Sequence, residues 1–457
     1  MLKRTRSFLV LVMLLMTVTM SAQVTTATMS GKVTAQDEPI IGATIVAIHE
    51  PSGTRYGTVT NVSGQFNLQG MRTGGPYKVE ISYVGYQTAI YKGINLLLGE
   101  NYVLNVSLKE SSELLDEVVV TASKESNMKS DRAGAIMNAN RDMISNTPTI
   151  SRSISDIMRL SPQGADVGNG FAVGGGNYRQ SFVTVDGAAF NNTFGLGGNL
   201  PANGSPISLD ALEQVTVAVT PFDVRQSGFT GGAINAVTRS GDNQFRGTAY
   251  MYFNNENLKG SKVDDYELLR SKAQYYTYGA SFGGPIIKDK LFFFVNGEYE
   301  DNVTAGSNYR PRTALGESYS GGNIHRPLQS DMDDMRGFLL NKYNFDPGKY
   351  NDYSTDTPAY RVMARVDWNA NQNNKVSFRF TKTHTKDSNF PTSSVSPLST
   401  SALYPGGTST EVIDGKPVGT IAPGQGRTSK YALSFSNSNY YQVRDFTSVA
   451  GEWNSRM

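Results

Sequence analysis

From Phe245 onward, apolar and polar residues alternate with a period of two, as in β-strands whose two faces meet different surroundings. Along 245–254, Phe245, Gly247, Ala249, Met251 and Phe253 share one face, and Arg246, Thr248, Tyr250 and Tyr252 share the other. Leu291, Phe293, Val295 and Tyr299 oppose Asn296, Glu298 and Glu300. Val362, Ala364, Val366 and Trp368 oppose Arg361, Arg365 and Asp367, and Val376, Phe378 and Phe380 oppose Ser377, Arg379 and Thr381. The pattern predicts strands near 245–254, 275–284, 291–301, 360–369, 375–384, 430–440 and 445–455, each about ten residues long, enough to cross a bilayer when tilted. A soluble sandwich would alternate too, so the connections have to separate the two. They run long and short in turn: "PIIKDK" and "ANQNN" are tight, whereas 302–359 and 385–429 are long polar excursions. Membrane barrels keep short turns on the periplasmic side and long loops outside. Loops of an ordinary sandwich have no reason to keep that phase.

The first half of the chain follows two other patterns. Residues 28–108 are short strands separated by turn signals at close spacing. In one of them Tyr77, Val79, Ile81 and Tyr83 face away from Lys78, Glu80 and Ser82, and the whole predicts a small β-sandwich. Residues 126–240 are mixed. Ile150, Ile154, Ile157 and Met158 recur at helical spacing between Pro148 and Pro162, predicting a short amphipathic helix. Strands are predicted at 180–187, 213–222 and 232–240, separated by "GNGFAVGGGNYR" and "NNTFGLGGNLPANGSP", loops rich in Gly and Asn. Between the two units lies "LLDEVVVTASKES", where Val118, Val119, Val120 and Thr121 form a strong β-run. An unpaired apolar strand in a linker can recruit any passing sheet edge. It is read here as a strand kept for a partner in trans; the competing reading is a domain-connecting strand that pairs in cis with the sandwich.

Composition narrows the class. Lys3, Arg4 and Arg6 precede an apolar run from Phe8 to Val18 and the small residues Ser21 and Ala22, the order of a secretory signal peptide. Without residues 1–22 the chain holds 42 − 3 = 39 basic and 40 acidic residues, a net charge of −1 with His neutral. A near-neutral exported chain gives no support for nucleic-acid binding. Cysteine is absent, which excludes disulfides and thiol chemistry. Catalysis finds no constellation either. His49, His325 and His384 lie in separate regions, and no HExxH, GxSxG or GxxxxGK[ST] occurs. The acids Asp331, Asp333, Asp334, Asp346, Asp352 and Asp356 miss the spacing of an EF-hand and are read as a solvated loop. No enzyme activity, cofactor or metal is expected.

The stretch "GKVTAQDEPIIGATIVAI…TNVSGQFNLQGM…YKVEISYVGYQT" resembles the carboxypeptidase-regulatory-like module, an immunoglobulin-like sandwich with no catalytic residues of its own. Signal peptide, this module, "DEVVVTA", a mixed unit and alternating strands, in that order, together resemble TonB-dependent outer-membrane receptors. "VTVDGAAFNN", with Val183, Val185, Asp186, Gly187 and Asn191, looks like a segment of that family's plug. "ISLDALEQVTV…GFTGGAINAVTRSG" looks like the plug's closing elements, and "FGGPIIKDKLFFFVNGEYE" is closest to the Oar-like branch. The resemblance implies a mainly β architecture. A signal peptide (1–22) is followed by an immunoglobulin-like β-sandwich (23–109), a linker with a TonB-box-like strand (110–125) and an α+β plug domain (126–240). The first strands of a transmembrane antiparallel β-barrel (241–457) complete it.

The implied function is ligand-gated import through the plugged barrel, with sandwich and linker in the periplasm. A TonB-type inner-membrane energy transducer would grip Glu117, Val118, Val119, Val120, Thr121 and Ala122 by adding a strand to its own sheet edge, and Lys124–Arg132 would transmit the pull. An external ligand would touch the apex of the plug at Asn169, Phe171, Asn177, Tyr178, Asn191, Asn192, Phe194 and Asn199, within 169–178 and 191–206. The other expected partners are outer-membrane lipids, with a surface lipoprotein as a candidate. The alternative from a different class is a surface adhesion protein that binds through sandwich and loops. Inward-facing Glu298, Glu300, Arg365, Asp367 and Arg379 could pair with plug charges such as Arg225 or Arg239; the reading favoured here is that they face water in a wet lumen. An open sheet of about seven strands would leave two edges in lipid, so the chain is expected to be the N-terminal part of a longer protein.

Overall fold

The computed structural model describes residues 25–110, 118–121, 136–149, 152–167, 170–192, 198, 200, 206–219, 231–258, 262–263, 266–267, 272–306, 309–319, 324–389, 412–413, 416–417 and 433–455. The expected signal peptide, and with it Ile150 and Arg225, lies outside these residues.

The first unit is the expected sandwich. Its strands are β1 (Ala27–Ala35), β2 (Thr44–His49), β3 (Thr54–Val59), β4 (Gln65–Met71), β5 (Gly74–Ser82), β6 (Ala89–Leu96) and β7 (Asn101–Val103). In one sheet β1 pairs antiparallel with β4 and parallel with β7; in the other, β6, β5, β2 and β3 follow one another. The alternate apolar residues of both sheets, among them Met29, Val33, Ile45, Phe66, Leu68, Tyr77, Val79 and Ile81, are buried between them. A further strand, β8 (Val118–Thr121), joins the free side of β6.

The second unit has β9 (Ile136–Ala139), α1 (Arg141–Asn146), α2 (Ile154–Met158), β10 (Phe182–Val185), β11 (Ala188–Ala189), β12 (Leu212–Ala218) and β13 (Ala233–Thr238). Its sheet runs β9-β12-β13-β10-β11. The Asn140 side chain caps α1 by accepting from Met143 N at 2.9 Å. Helix α2 starts four residues later than the apolar spacing suggested, because Ser153 and Asp156 form a capping box there. Asp186 and Gly187 have φ of +45° and +79° and connect β10 to β11, so this Asp-Gly pair makes the tight hairpin turn that needs left-handed backbone at both positions.

The third unit is an antiparallel meander of six long strands: β14 (Arg246–Asn255), β15 (Gln274–Ile287), β16 (Leu291–Ala305), β17 (Ala359–Asn369), β18 (Asn374–Asn389) and β19 (Tyr440–Ser455). Its long and short connections alternate as the sequence indicated. Two details differ. The strands expected at 430–440 and 445–455 are one: Ser436–Ser438 is a single 3-10 turn, and the chain is extended only from Tyr440. The excursion 302–359 is not all loop; it contains α3 (Gln329–Tyr343). The apolar side chains of α3 are scattered among Asp, Arg and Lys, and only Met332 is buried, so no core-facing stripe announced it.

The two faces of this wall differ as expected for a lipid-facing surface. Val295, Val362, Val366, Phe378 and Val449 are exposed on the outside. The end with the short turns carries Phe245, Trp368 and Trp453, and the end with the long connections a row of Tyr278, Tyr299 and Tyr360 in register. An apolar band between aromatic girdles is how a barrel meets a bilayer. The inner face is covered by the second unit: Phe294 and Met363 of the wall are buried in the same core as Val183, Val185, Val215 and Ile234.

Candidate functional site

Polar contacts between plug and wall concentrate at two heights. At the lower one, Asp186 at the tip of the β10–β11 turn meets the inward residues of β17 and β18. Its carboxylate pairs with Arg379 and lies 3.5 Å from Arg365 Nη1. Thr238 of β13 donates to it twice, from N at 2.8 Å and from Oγ1 at 2.5 Å. Arg365 in turn binds Asp367 at 2.9 Å and donates to Thr238 O at 2.9 Å, and Ser240 donates to Asp367. Burial alone would raise the Asp186 carboxyl. The charges of Arg379 and Arg365 and the two Thr238 hydrogen bonds outweigh it and hold the group below the ordinary carboxylate range.

The upper contact is built around Glu298 of β16. Ser208 Oγ of the plug donates to it at 2.9 Å, Tyr250 Oη at 2.6 Å and Arg361 Nη1 at 3.1 Å, and Arg361 also holds Glu300. Nearby, Thr383 Oγ1 donates to the backbone oxygen of Pro206 at 2.7 Å. Asp210 accepts from Thr248 Oγ1 at 2.7 Å and pairs with Arg141 and Arg239. The inward charges named from the sequence therefore do not simply face water. Glu298, Arg365, Asp367 and Arg379 engage the plug, through Ser208, Asp186, Thr238 and Ser240. The pairing depends on the relative height of two segments distant in the chain, which periodicity does not carry. Ser208 and Asp210 were missed; the only local signal was a serine positioned to cap the turn Leu209–Ala211.

The loop residues expected at the apex divide. Phe171 is a correction: it sits in the short strand Phe171–Val173, buried in the plug core, because an aromatic side chain next to a Gly-rich turn finds its place inside. Asn191 is half-buried, and its amide closes the β-hairpin, accepting from Val183 N at 2.7 Å and donating to Ser181 O at 2.9 Å. Asn192 donates to Gly198 O. Asn177 is exposed and Tyr178 half-buried at the start of a single 3-10 turn. Asn169, Phe194 and Asn199 lie outside the described residues. Two acids of the long excursion serve local structure: Asp333 accepts from Tyr350 OH at 2.7 Å, and Asp346 pairs with Arg336.

The linker strand is paired. Val118, Val119, Val120 and Thr121 run parallel to β6, in register with Ala89, Ile90, Tyr91 and Lys92; Glu117 and Ala122 lie outside the described residues. This is the cis pairing of the competing reading, and it removes the argument that an idle edge must be waiting for a partner in trans. The sandwich itself is anchored. At the end of β6, Leu96 O accepts from Gln214 Nε2 at 3.1 Å, and just past it Leu98 N donates to Gln214 Oε1 at 2.8 Å, joining sandwich to plug strand β12. Its tip meets the base of the wall: Asn369 Nδ2, beside the β17–β18 turn, donates to Thr54 Oγ1, and Asn243 N, in the connector leading into β14, donates to Pro51 O, both at 2.9 Å.

Comparison with known proteins adds the following. Residues 28–109 match the model of the carboxypeptidase regulatory-like domain, and residues 237–416 that of an outer membrane beta barrel domain. The chain is similar to the TonB-dependent transporter Oar of Myxococcus xanthus, 27% identical over 54% of this chain and 22% of that protein. It is also similar to the TonB-dependent receptor SusC of Bacteroides thetaiotaomicron, 29% identical over 56% of this chain and 24% of that protein. The matched region thus spans less than a quarter of either curated relative. Among solved structures, the siderophore receptor PirA from Acinetobacter baumannii superposes with a TM-score of 0.37 at 16% identity, covering 55% of this chain and 31% of that one. The outer membrane transporter YddB from Escherichia coli gives 0.41 at 12% identity, covering 57% and 34%.

Proposed function

We propose, from the premise that this chain belongs to the TonB-dependent receptors of the bacterial outer membrane, that it is the gated part of an active importer. The observation that carries the reading is the plug sheet lodged against the inner face of a lipid-facing wall, tied to it by buried charges at Asp186–Arg379 and Ser208–Glu298. Such a seat closes a lumen at rest and opens only if work is done on the plug. An external ligand meets the long outer loops and the upper loops of the plug, at Asn177, Tyr178 and Asn192 and at Asn169, Phe194 and Asn199. A TonB-type inner-membrane partner supplies the work by gripping Glu117–Ala122, a segment whose backbone can add to another sheet's edge with little demand on side chains. Removing Glu117–Ala122 from the protein in its own cell is expected to abolish the solute uptake that depends on it, while the barrel still reaches the outer membrane. Uptake that survives the deletion overturns this function.

A further inference from the structure

The resting place of the linker strand has a mechanical consequence. We propose that β6 of the sandwich is a holster for Val118–Thr121 which, while occupied, diverts a pull on that strand into the sandwich and keeps it off the chain path from Thr121 to the plug. The inference rests on the coupling role proposed above for Glu117–Ala122.

Three observations carry it. The strand is seated on β6 in a continuous parallel register, Val118 with Ala89 through to Thr121 with Lys92. The edge it covers needs covering: β6 contains no proline, only one charged residue, Lys92, and its Ala89, Ile90, Ile94 and Leu96 are buried. Finally, the sandwich that owns this edge is fixed, at Gln214 to the plug, at Thr54 to Asn369 beside a wall turn, and at Pro51 to Asn243 in the connector that leads into β14. A strand bound to a body that is itself bound to the wall cannot move relative to the wall. A pull on it therefore loads the sandwich and its rim contacts first. Force reaches the plug through residues 122–135 only after the strand leaves β6. Four parallel pairs at a sheet edge form a short ladder that can be peeled one bond at a time, so the contact holds at rest and yields under load.

These 457 residues hold no cysteine, so within them an introduced pair has no competing thiol. Paired positions on neighbouring strands lie about 4.8 Å apart, within the Cα separation that a disulfide spans. The double variant Tyr91→Cys/Val120→Cys, in the intact protein in its own outer membrane, is expected to cross-link efficiently under mild oxidation. The control Val59→Cys/Val120→Cys places the first cysteine on β3, the opposite edge of the same sheet, and is expected not to. Collapsing the inner membrane's energy supply with a protonophore, or removing the TonB-type transducer, is expected to raise the Tyr91–Val120 yield several-fold, because an idle strand stays holstered. A yield at Tyr91 no higher than at Val59 overturns the seating. A high yield that ignores both protonophore and transducer overturns release under load. Neither outcome decides the coupling role itself, which the deletion of Glu117–Ala122 tests separately.

Discussion

At Asp186 a turn-forming residue doubles as the plug's charged contact with the wall. Its left-handed backbone suits Asp or Asn followed by Gly, while its carboxylate faces Arg379, for which no other carboxylate partner is found among the described residues. Asp186→Asn keeps the turn and deletes the charge, leaving Arg379 buried without compensation. Breaking such a pair costs about 3–5 kcal/mol, so thermal unfolding of the plug should shift sharply downward. Adding Arg379→Met is expected to recover most of the loss, since an apolar pair replaces an ion pair at little cost. The pH dependence has a definite sign. The folded carboxyl titrates below its unfolded counterpart, so its contribution is complete above the unfolded value near 3.8 and fades as the pH falls through the depressed folded one. A plug whose stability between pH 7 and pH 2 is unchanged by Asp186→Asn contradicts this account. Sequence alone marked Asp186–Gly187 by its motif and Arg365 and Arg379 by their inward parity. It could not mark their contact, nor that Phe171 turns into the core while Asn191 is spent on the hairpin.

Elements were legible where a two-residue period runs unbroken beside a core or a membrane, as in β16, β17 and β18. They were illegible where burial is slight: α3 shows no stripe because nearly all of it faces solvent, and "YALSFSNSN" alternates like a strand but breaks at the Ser-Asn turn. Strand-to-strand docking between units is equally silent in the pattern. Gln214 occupies a position on β12 that alternation assigns to no particular role, yet both ends of its amide bind the sandwich backbone at Leu96 and Leu98. Gln214→Leu fits the same space but orphans a buried carbonyl and a buried N–H, at about 1–3 kcal/mol each. The expected result is a contact that loosens at β12 while sandwich and plug stay folded, seen as faster hydrogen exchange at the Leu98 amide with unchanged exchange in β2 and β5. Equal exchange at Leu98 in both proteins would show that the amide bridge does not hold the two units together.

At the scale of the whole molecule, adjacent residues of one strand report on two different solvents. On β18, Phe378 is 51% exposed on the outer face, while its neighbour Arg379 is 2% exposed against the plug. In water a large aromatic side chain standing that far out is a mild liability, and replacing it with a cation changes stability by no more than about 0.5 kcal/mol. In a bilayer the same replacement forces a charge into hydrocarbon and costs about 2–4 kcal/mol near the midplane. Phe378→Arg therefore separates the two surroundings directly. Its position between Trp368 and Trp453 at one end and Tyr299 and Tyr360 at the other puts it within the apolar band. Refolding equilibria of the protein in lipid vesicles are expected to show a penalty of about 1–3 kcal/mol, below the midplane value because Phe378 is level with Val366, two residues from Trp368 and six from Tyr360. Val59→Arg, at an equally exposed apolar site on the sandwich (60%), is expected to show almost none, because that surface faces the aqueous periplasm. A small effect at both sites would mean that the outer face of the wall does not meet lipid, and the division of the chain into a watery sandwich, a lodged plug and a membrane wall would fall with it.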